Sequence, residues 1–168
     1  MHLPESNAWT RLSHHVTEEV RQHKEHGQKA LFSLCSRKAG DVIADFSAGT
    51  ISAEPTYLTV QLAEGKHITL QPEYLQYINH SCEPNVFFDT TAMQLVALKD
   101  IQPETELVFF YPSSEWDMTQ SFRCLCGTAS CLGEIRGAAH LGPETLALYR
   151  LTDYIRQRLR KKSAKKVA

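Results

Sequence analysis

The chain has 168 residues, enough for one hydrophobic core of ordinary size but cramped for two independent domains. A composition of 42% hydrophobic and 22% charged residues is close to the globular average and argues against a disordered or fibrous protein. The net charge is −1, but residues 150–168 hold eight basic residues and one acidic residue, so the preceding part is acidic. We therefore expect a single domain with a basic tail.

No segment of the sequence predicts a membrane span or a secretory signal. The longest apolar runs, such as ELVFFY, are far shorter than the ~20 residues that a transmembrane helix needs. The first residues, MHLPESNAWT, lack the basic-then-apolar order of a signal peptide. We expect a cytoplasmic or nuclear protein, in which thiols stay reduced. Its five cysteines are therefore candidates for metal binding or catalysis rather than for disulfides.

In chain order, the first predicted element is a short amphipathic helix within residues 7–26. The apolar residues at helical spacing there are Trp9, Leu12, Val16 and Val20. Between residues 28 and 69, the segments KALFSLC, DVIADFSAG, YLTVQLA and KHITL predict a run of short strands separated by turns. The strand pattern continues through residues 85–101 and 106–112, with a hairpin turn at residues 89–91.

A helical pattern returns near the C-terminus, where Pro143 suits a first helical position. The apolar residues that follow on one face are Leu148, Leu151, Ile155 and Leu159. We predict a helix over residues 144–162 that packs on the body of a monomer, since its apolar stripe is too narrow and short to favour a dimer face. Nucleic acid or an acidic surface could bind the basic tail, but we favour a solvated helix end, the commoner explanation.

Three cysteines lie close together in FRCLCGTASCLGEI. Cys124, Cys126 and Cys131 form the pattern C-x-C-x4-C, and such closely spaced thiolates can converge on one zinc ion, which takes four ligands in structural sites. Cys82 is the best candidate for the fourth ligand. Cys35 lies in an apolar, strand-like run, where a free cysteine is usually a small buried hydrophobic residue.

Two other interpretations of these cysteines remain open. The three thiols could be unrelated buried side chains, although their compact spacing disfavours this. They could also belong to a zinc ribbon that binds nucleic acid. A ribbon would need a second local cysteine pair and a basic patch with interleaved aromatic residues, and only Arg123 and Arg136 lie nearby.

The cysteine cluster is the last of three blocks that resemble one known family. INHSCEPN at residues 78–85, ELVFFY at 106–111 and CLCGTASC at 124–131 resemble, in order and spacing, the SET-domain protein lysine methyltransferases with a post-SET zinc loop. The resemblance extends over about residues 26–135. It implies a mostly β (α+β) fold of short curved sheets, with a pseudoknot between the first two blocks and a C-terminal helix.

The resemblance also implies an organisation of the chain and a set of site residues. The expected units are an N-terminal helical segment (1–26), the SET domain (27–115), the post-SET zinc loop (116–137) and a C-terminal helix with the basic tail (138–168). Tyr111 would be catalytic, where the substrate amine meets the methyl group of S-adenosylmethionine. Residues expected at this cofactor are Lys29, Ala30, Leu31, Asn79, His80, Tyr111, Phe122 and Ile135. Residues expected in the substrate channel are Phe46, Tyr77, Phe88 and Phe109. The expected ligands of a structural zinc ion are Cys82, Cys124, Cys126 and Cys131.

The chemistry of methyl transfer gives these residue types a physical reason. The reaction is an in-line displacement, so the protein supplies alignment and a route for the amine to lose its proton. A narrow aromatic channel lowers the pKa of a lysine by desolvation, and a tyrosine oxygen can orient the amine. From the strand pattern alone, Tyr111 is a half-buried core residue with its hydroxyl at the edge. His80 could equally be a core histidine and Asn79 a turn residue, but the three matching blocks together favour the functional roles.

Several positions depart from the family pattern. Gln28 and Ala30 stand where the cofactor loop normally reads Gly-x-Gly, and Ala30 would be strained if a positive φ were required. Phe46 stands in place of a tyrosine, which removes a hydroxyl near the amine. Phe109 stands where a tyrosine would restrict methylation in the family, which suggests a di- or trimethylated product.

We carry three hypotheses from the sequence. The first is a protein lysine methyltransferase acting on a lysine-bearing protein. The second is a catalytically weak SET module that serves as a protein-binding scaffold, an idea that Phe46 and Gln28 support. The third, which we rank lowest, is a zinc-stabilised protein that binds nucleic acid through its basic tail.

Overall fold

The structure, a computed structural model, describes residues 8–167. The first seven residues of the predicted N-terminal segment lie outside that range. Short strands make up most of the described chain. They are β1 (Trp9–His15), β2 (Glu18–His23), β3 (Lys29–Ser33), β4 (Val42–Asp45), β5 (Ser47–Ser52), β6 (Val60–Ala63), β7 (Lys66–Gln71), β8 (Asn79–His80), β9 (Val86–Asp89), β10 (Gln94–Ala97), β11 (Thr105–Glu106), β12 (Val108–Phe109), β13 (Phe122–Arg123) and β14 (Glu134–Ile135).

These strands form several small sheets rather than one large one. The strand orders are β1-β2-β3-β11, β4-β10-β9, β5-β7-β6, β12-β8 and β13-β14. The main hydrophobic core joins the first four of these sheets, and its fully buried residues include Leu31, Ile68, Phe88, Leu95 and Leu107. The β13-β14 pair places Ile135 in a separate cluster with Cys82 and Cys124. The predicted mostly β fold of short sheets is confirmed, as is the hairpin turn between β9 and β10.

A β-hairpin occupies the segment for which we predicted an amphipathic helix. β1 and β2 pair antiparallel with Trp9 opposite His23, and β2 continues into the sheet through β3, where Val20 lies opposite Leu31. The helix prediction was wrong because pairing with β3 and burial of Val20 outweigh the apolar spacing. Val16 is 95% exposed in the hairpin turn, so the apolar residues do not share one face.

Two segments distant in sequence are joined at the centre of the fold. β8 runs parallel to β12, with Val108 opposite Asn79 and Phe109 opposite His80. Asn85 fastens the same two segments, because its Nδ2 donates to the Glu106 carbonyl at 2.8 Å and its Oδ1 accepts from the Val108 N–H at 2.8 Å. A buried amide with both ends bonded to backbone fixes the register of this junction.

The C-terminal helix is broken in two, where we predicted one helix over residues 144–162. Helix α1 spans Pro143–Leu146 and helix α2 spans Asp153–Val167. Pro143 takes the predicted first helical position, and Ile155 is fully buried, but Leu148 is 80% exposed in the segment between the helices. No helix among the described residues has the length and apolar character to cross a membrane.

Tertiary contacts of the intervening segment explain the break. The Tyr149 ring stacks on Phe110 with centroids 3.6 Å apart, and its hydroxyl donates to the Cys82 carbonyl at 2.8 Å. The Thr152 N–H donates to the Ser113 carbonyl at 2.9 Å. These contacts tie the segment to the body of the protein, and they replace the hydrogen bonds that a continuous helix would make.

Candidate active site

A cavity of about 550 Å³ opens beside the ends of the paired strands β8 and β12. Phe88, Phe109 and Tyr111 form an aromatic part of its wall. The segment at residues 55–60 and the segment at 118–122, which leads into the cysteine cluster, also line it. A largely apolar cavity of this size with a few polar groups is typical of a ligand site.

Tyr111 follows β12 and begins a 3-10 turn, Tyr111–Ser113, that carries the chain past the cavity. Its ring centroid lies 4.7 Å from that of Phe109 and 5.2 Å from that of His80. Desolvation, with the nearby Glu115 and Glu106 carboxylates, raises the pKa of Tyr111 to about 12. Its hydroxyl is therefore protonated at neutral pH and acts as a hydrogen-bonding group rather than as a base.

The four residues predicted to form the substrate channel lie in two different environments. Phe88 and Phe109 line the cavity, and their rings meet edge-to-face with centroids 4.9 Å apart. Phe46 is not among the lining residues; it packs behind Phe88 in the core, with centroids 5.5 Å apart. Tyr77 also lies off the cavity wall, with the Lys29 ammonium 5.1 Å from its ring centroid. Phe46 thus supports the wall without facing the cavity.

The residues predicted at the cofactor come together around β8. Asn79 Nδ2 donates to the Lys29 carbonyl at 2.9 Å and to Glu106 Oε1 at 3.0 Å, which links β8 to the start of β3. Ala30 and Leu31 are fully buried in β3, so this strand offers a ligand its backbone and Lys29 rather than those two side chains.

His80 connects this region to Tyr111. Its Nδ1 accepts a hydrogen bond from the Tyr111 N–H at 3.2 Å, and burial lowers the pKa of His80 to about 4. The ring is therefore neutral at physiological pH, with its proton on Nε2. Phe122 lies beside both rings, 5.6 Å from His80 and 5.8 Å from Tyr111, and pairs across β13 and β14 with the buried Ile135.

The backbone at the altered glycine loop is unstrained. Among the described residues, the non-glycine residues with positive φ are Met93 and Glu104, so neither Gln28 nor Ala30 has the conformation that would disfavour a side chain. Gly27, one residue before Gln28, has the positive-φ conformation instead, with a φ of +73°. The departure from Gly-x-Gly is therefore accommodated in the fold.

The four predicted cysteine ligands converge. The sulfur atoms of Cys82, Cys124, Cys126 and Cys131 all lie within 4.8 Å of one another, and those of Cys82 and Cys124 are 3.9 Å apart. Four sulfurs around one zinc at ~2.3 Å would lie about 3.8 Å apart, so the cluster fits a tetrahedral ion. The interpretation as unrelated thiols is wrong, and Cys35 lies outside the group.

The loop that carries three of these cysteines is shaped for this convergence. Gly127 has a φ of +69° in the bend between Cys126 and Cys131, a conformation that favours glycine. The Leu132 N–H points at Cys82 Sγ at 3.4 Å, as backbone donors do towards metal-bound thiolates. The cluster could hold a metal ion, which would fasten the segment containing Phe122 beside Tyr111.

Two residues that shape the site, one on the cavity wall and one beside it, were not predicted from the sequence. Glu115 lines the cavity and is 7% exposed, and burial raises the pKa of Glu115 to about 7. Gln61 of β6 holds it in place, since the Gln61 N–H donates to Glu115 Oε1 at 2.9 Å and Gln61 Oε1 accepts from the Trp116 N–H at 3.0 Å. The sequence shows Glu115 four residues after Tyr111, but this position alone does not indicate whether its carboxyl group is buried or exposed.

Comparison with known proteins agrees with this architecture. A family model described as SET domain matches residues 12–112. The chain belongs to the SET-domain family, and the match begins within β1, inside the segment that we predicted as helical. The methyltransferase flvH of Aspergillus flavus is 33% identical over 153 residues, which cover 90% of this chain and 85% of that protein.

Two larger proteins resemble shorter parts of the chain. The H3 lysine-4 specific histone-lysine N-methyltransferase of Emericella nidulans is 37% identical over 65 residues, which are 34% of this chain and 5% of that enzyme. The histone-lysine N-methyltransferase ASHH1 of Arabidopsis thaliana is 30% identical over 82 residues, 45% of this chain and 16% of that enzyme. The family and these relatives support a methyltransferase, with lysine methylation as its general chemistry.

Proposed function

We propose that the protein transfers methyl groups from S-adenosylmethionine to the side-chain amine of lysine in a protein substrate. The observation that carries this proposal is the cavity in which Tyr111 meets the aromatic wall of Phe88 and Phe109, directly beside β8. The methyl acceptor would be a lysine-bearing protein of the cytoplasm or nucleus.

The residues around β8 fit the cofactor. Asn79 and His80, the backbone of Lys29 and the Phe122–Ile135 strand pair lie in one neighbourhood and combine amide, imidazole and aromatic groups. When bound there, S-adenosylmethionine would supply a methyl group activated by its positively charged sulfur. A neutral His80 ring avoids repulsion of that charge.

The chain's own residues would prepare the acceptor. The apolar wall desolvates the lysine side chain and so lowers the pKa of its ammonium group. The protonated Tyr111 hydroxyl can accept a hydrogen bond from the amine and hold its lone pair in line with the methyl group. We further propose that Phe109, which adds no hydroxyl to the wall, leaves room for a di- or trimethylated product.

The cysteine cluster would hold a structural zinc ion. Four thiolates complete a tetrahedron and leave no position for substrate, so this metal would organise the fold rather than react. Its effect on the site is indirect, through the position of Phe122 and the segment at 118–121 that lines the cavity.

A catalytically weak SET module that binds a lysine-bearing protein is the second candidate function. One observation favours it: Phe46 fills the core behind Phe88, so the hydroxyl expected near the amine from this position is absent. Such a module would bind the cofactor or the substrate protein but turn over slowly.

The test is transfer of labelled methyl from S-adenosylmethionine to the proteins of a cell extract. We expect label in a discrete protein with the wild type and a loss of about 10²-fold or more with Tyr111→Phe, since the change removes an orienting group at the reacting amine. Asn79→Ala should weaken cofactor binding, measured separately by calorimetry.

The outcomes separate the two candidate functions. Cofactor binding without label in any protein would favour the binding module. Label found only in low-molecular-weight compounds would contradict a protein acceptor, and neither binding nor transfer would overturn both candidates.

A further inference from the structure

The proposed function leaves one chemical requirement unassigned, namely the group that removes the proton of the substrate lysine. A lysine side chain has an ordinary pKa of about 10.4 and reaches the cavity as a cation, yet only the neutral amine can attack a methyl group. Among the described residues that line the cavity, Glu115 is the one carboxyl group.

The position of Glu115 is fixed from three sides. Its N–H donates to the Tyr111 carbonyl at 3.0 Å, so the two residues lie one turn apart on the same wall. Its Oε1 accepts from the Gln61 N–H at 2.9 Å and from Ser114 Oγ at 3.1 Å. In the part of the chain that the structure describes, no donor is bonded to Oε2, which leaves this oxygen for a ligand in the cavity.

The surroundings of Glu115 hold it ready to take up a proton. The ionisable groups facing it are Tyr111 and, from α2, Tyr154, and both have raised pKa values to which the Glu115 charge contributes. Arg158 and Lys162 of α2 lie over the ring of the neighbouring Trp116, and within the described residues no cation forms an ion pair with Glu115. A carboxyl whose pKa is near the working pH is the most effective general base.

We propose that Glu115 is the catalytic base of the transfer, an inference that rests on the proposed function. One N–H bond of the lysine ammonium breaks, and an O–H bond forms at Oε2 of Glu115, directly or through one water. The freed lone pair then forms the new N–C bond while the C–S bond of the sulfonium breaks and leaves a neutral thioether. The proton passes from Glu115 to solvent through the open side of the cavity.

The first experiment needs no substrate protein. Carbon-13 NMR of glutamate carboxyl groups would follow the titration of Glu115, assigned by comparison with Glu115→Gln. We expect n-butylammonium, a mimic of the lysine side chain, to shift the Glu115 midpoint to lower pH by about one unit, because a cation favours the carboxylate. n-Butanol, similar in size but neutral, should cause no shift. An unchanged midpoint with n-butylammonium would overturn the proposal.

The second experiment measures single-turnover transfer against pH with the acceptor protein identified by labelling. With the acceptor well below saturation, where the rate reports the free enzyme, the wild-type rate should rise tenfold per pH unit and level off near pH 7. In Glu115→Gln, which preserves the shape and the Oε1 acceptor, the rate at pH 7 should fall by about 10²- to 10⁴-fold and continue to rise towards the lysine pKa. Asp117→Asn is the matched control: it removes an exposed charge two residues away and should retain the wild-type profile.

The results distinguish failure of this inference from failure of the proposed function. A Glu115→Gln variant with a rate within threefold of wild type and the same levelling near pH 7 would overturn the role of Glu115 and leave methyl transfer standing. If the wild type methylates no protein at all, the proposed function fails, and the n-butylammonium titration still decides whether Glu115 senses a cation in the cavity. Calorimetric cofactor binding unchanged in Glu115→Gln would show that the variant is folded.

Discussion

At the scale of residues, Phe109 is the side chain that we expect to set the methylation state of the product. It lines the cavity between Phe88 and Tyr111 and presents only carbon atoms to it. We expect Phe109→Tyr to stop the reaction at an earlier methylation state, because the added hydroxyl occupies space that a methylated amine needs and holds the amine by a hydrogen bond. Mass spectrometry of the acceptor protein over time would count the methyl groups added.

The control for this prediction lies on the same strand as Phe88. Phe87 points to the opposite face of β9, where Arg150 packs over its ring at 4.4 Å, so Phe87→Tyr adds the same hydroxyl away from the cavity. Wild-type protein that stops at one methyl group, or a Phe109→Tyr variant with an unchanged product, would contradict the interpretation.

At the scale of elements, we expect the cysteine loop to depend on the proposed zinc ion. Its hydrophobic cluster holds Ile135 as the buried aliphatic residue beside Cys82 and Cys124, too little apolar surface to order a loop of this length by itself. We expect chelation to remove one zinc ion per chain, to expose the amides of residues 116–136 to hydrogen exchange and to abolish cofactor binding, because metal binding and local folding are coupled.

Serine variants supply the matched pair for that experiment. Cys131→Ser should lose zinc and cofactor binding together, as measured by elemental analysis and calorimetry. Cys35→Ser changes a free cysteine outside the cluster and should retain both. Metal-free protein that binds the cofactor with undiminished affinity would show that the loop folds without zinc.

Elements recognised by local residue spacing could be predicted from the sequence, whereas elements fixed by distant contacts could not. The cysteine loop and the INHSCEPN segment were recognisable because their function depends on residue types at fixed local spacing. The N-terminal hairpin was missed because its stability comes from pairing with β3, which apolar spacing within the segment does not report. The break between α1 and α2 was missed for a similar reason, since Tyr149 bonds to the distant Cys82 carbonyl.

The cavity was only partly predictable, again for physical reasons. Phe109 and Tyr111 lie in the ELVFFY block that carries the resemblance, Phe88 lies three residues after the INHSCEPN block, and all three line the cavity. Glu115 lies just beyond a block, and its burial results from β6 and α2 folding over it, a tertiary effect without a local signature.

Across the whole molecule, the C-terminal segment packs on residues that support the site. Tyr149 contacts Phe110 and Cys82, and Tyr154 of α2 accepts a hydrogen bond from Gln61 Nε2 at 3.2 Å. Gln61 in turn holds Glu115. Helix α2, strand β6 and the cavity wall are therefore parts of one packed unit, which keeps Glu115 buried.

This burial links the global stability of the protein to pH. The folded-state pKa of Glu115, about 7, lies above the ordinary value of 4.5, so the folded protein binds the proton more tightly than the unfolded chain. The stabilisation is complete below pH 4.5 and is lost as pH rises through 7. A shift of this size corresponds to roughly 3 kcal/mol of unfolding free energy, at about 1.4 kcal/mol for each unit of pKa.

Urea denaturation at a series of pH values would measure this loss as a difference between two proteins. The free energy of unfolding of the wild type minus that of Glu115→Gln should fall by about 3 kcal/mol between pH 4.5 and 7.5, since the glutamine does not titrate. Contributions from the cysteine cluster and from His80 are common to both proteins and cancel in the difference. A difference that stays constant over this range would mean that the Glu115 carboxyl is already ionised in the folded protein at pH 5, and so is unsuited to act as a base at pH 7.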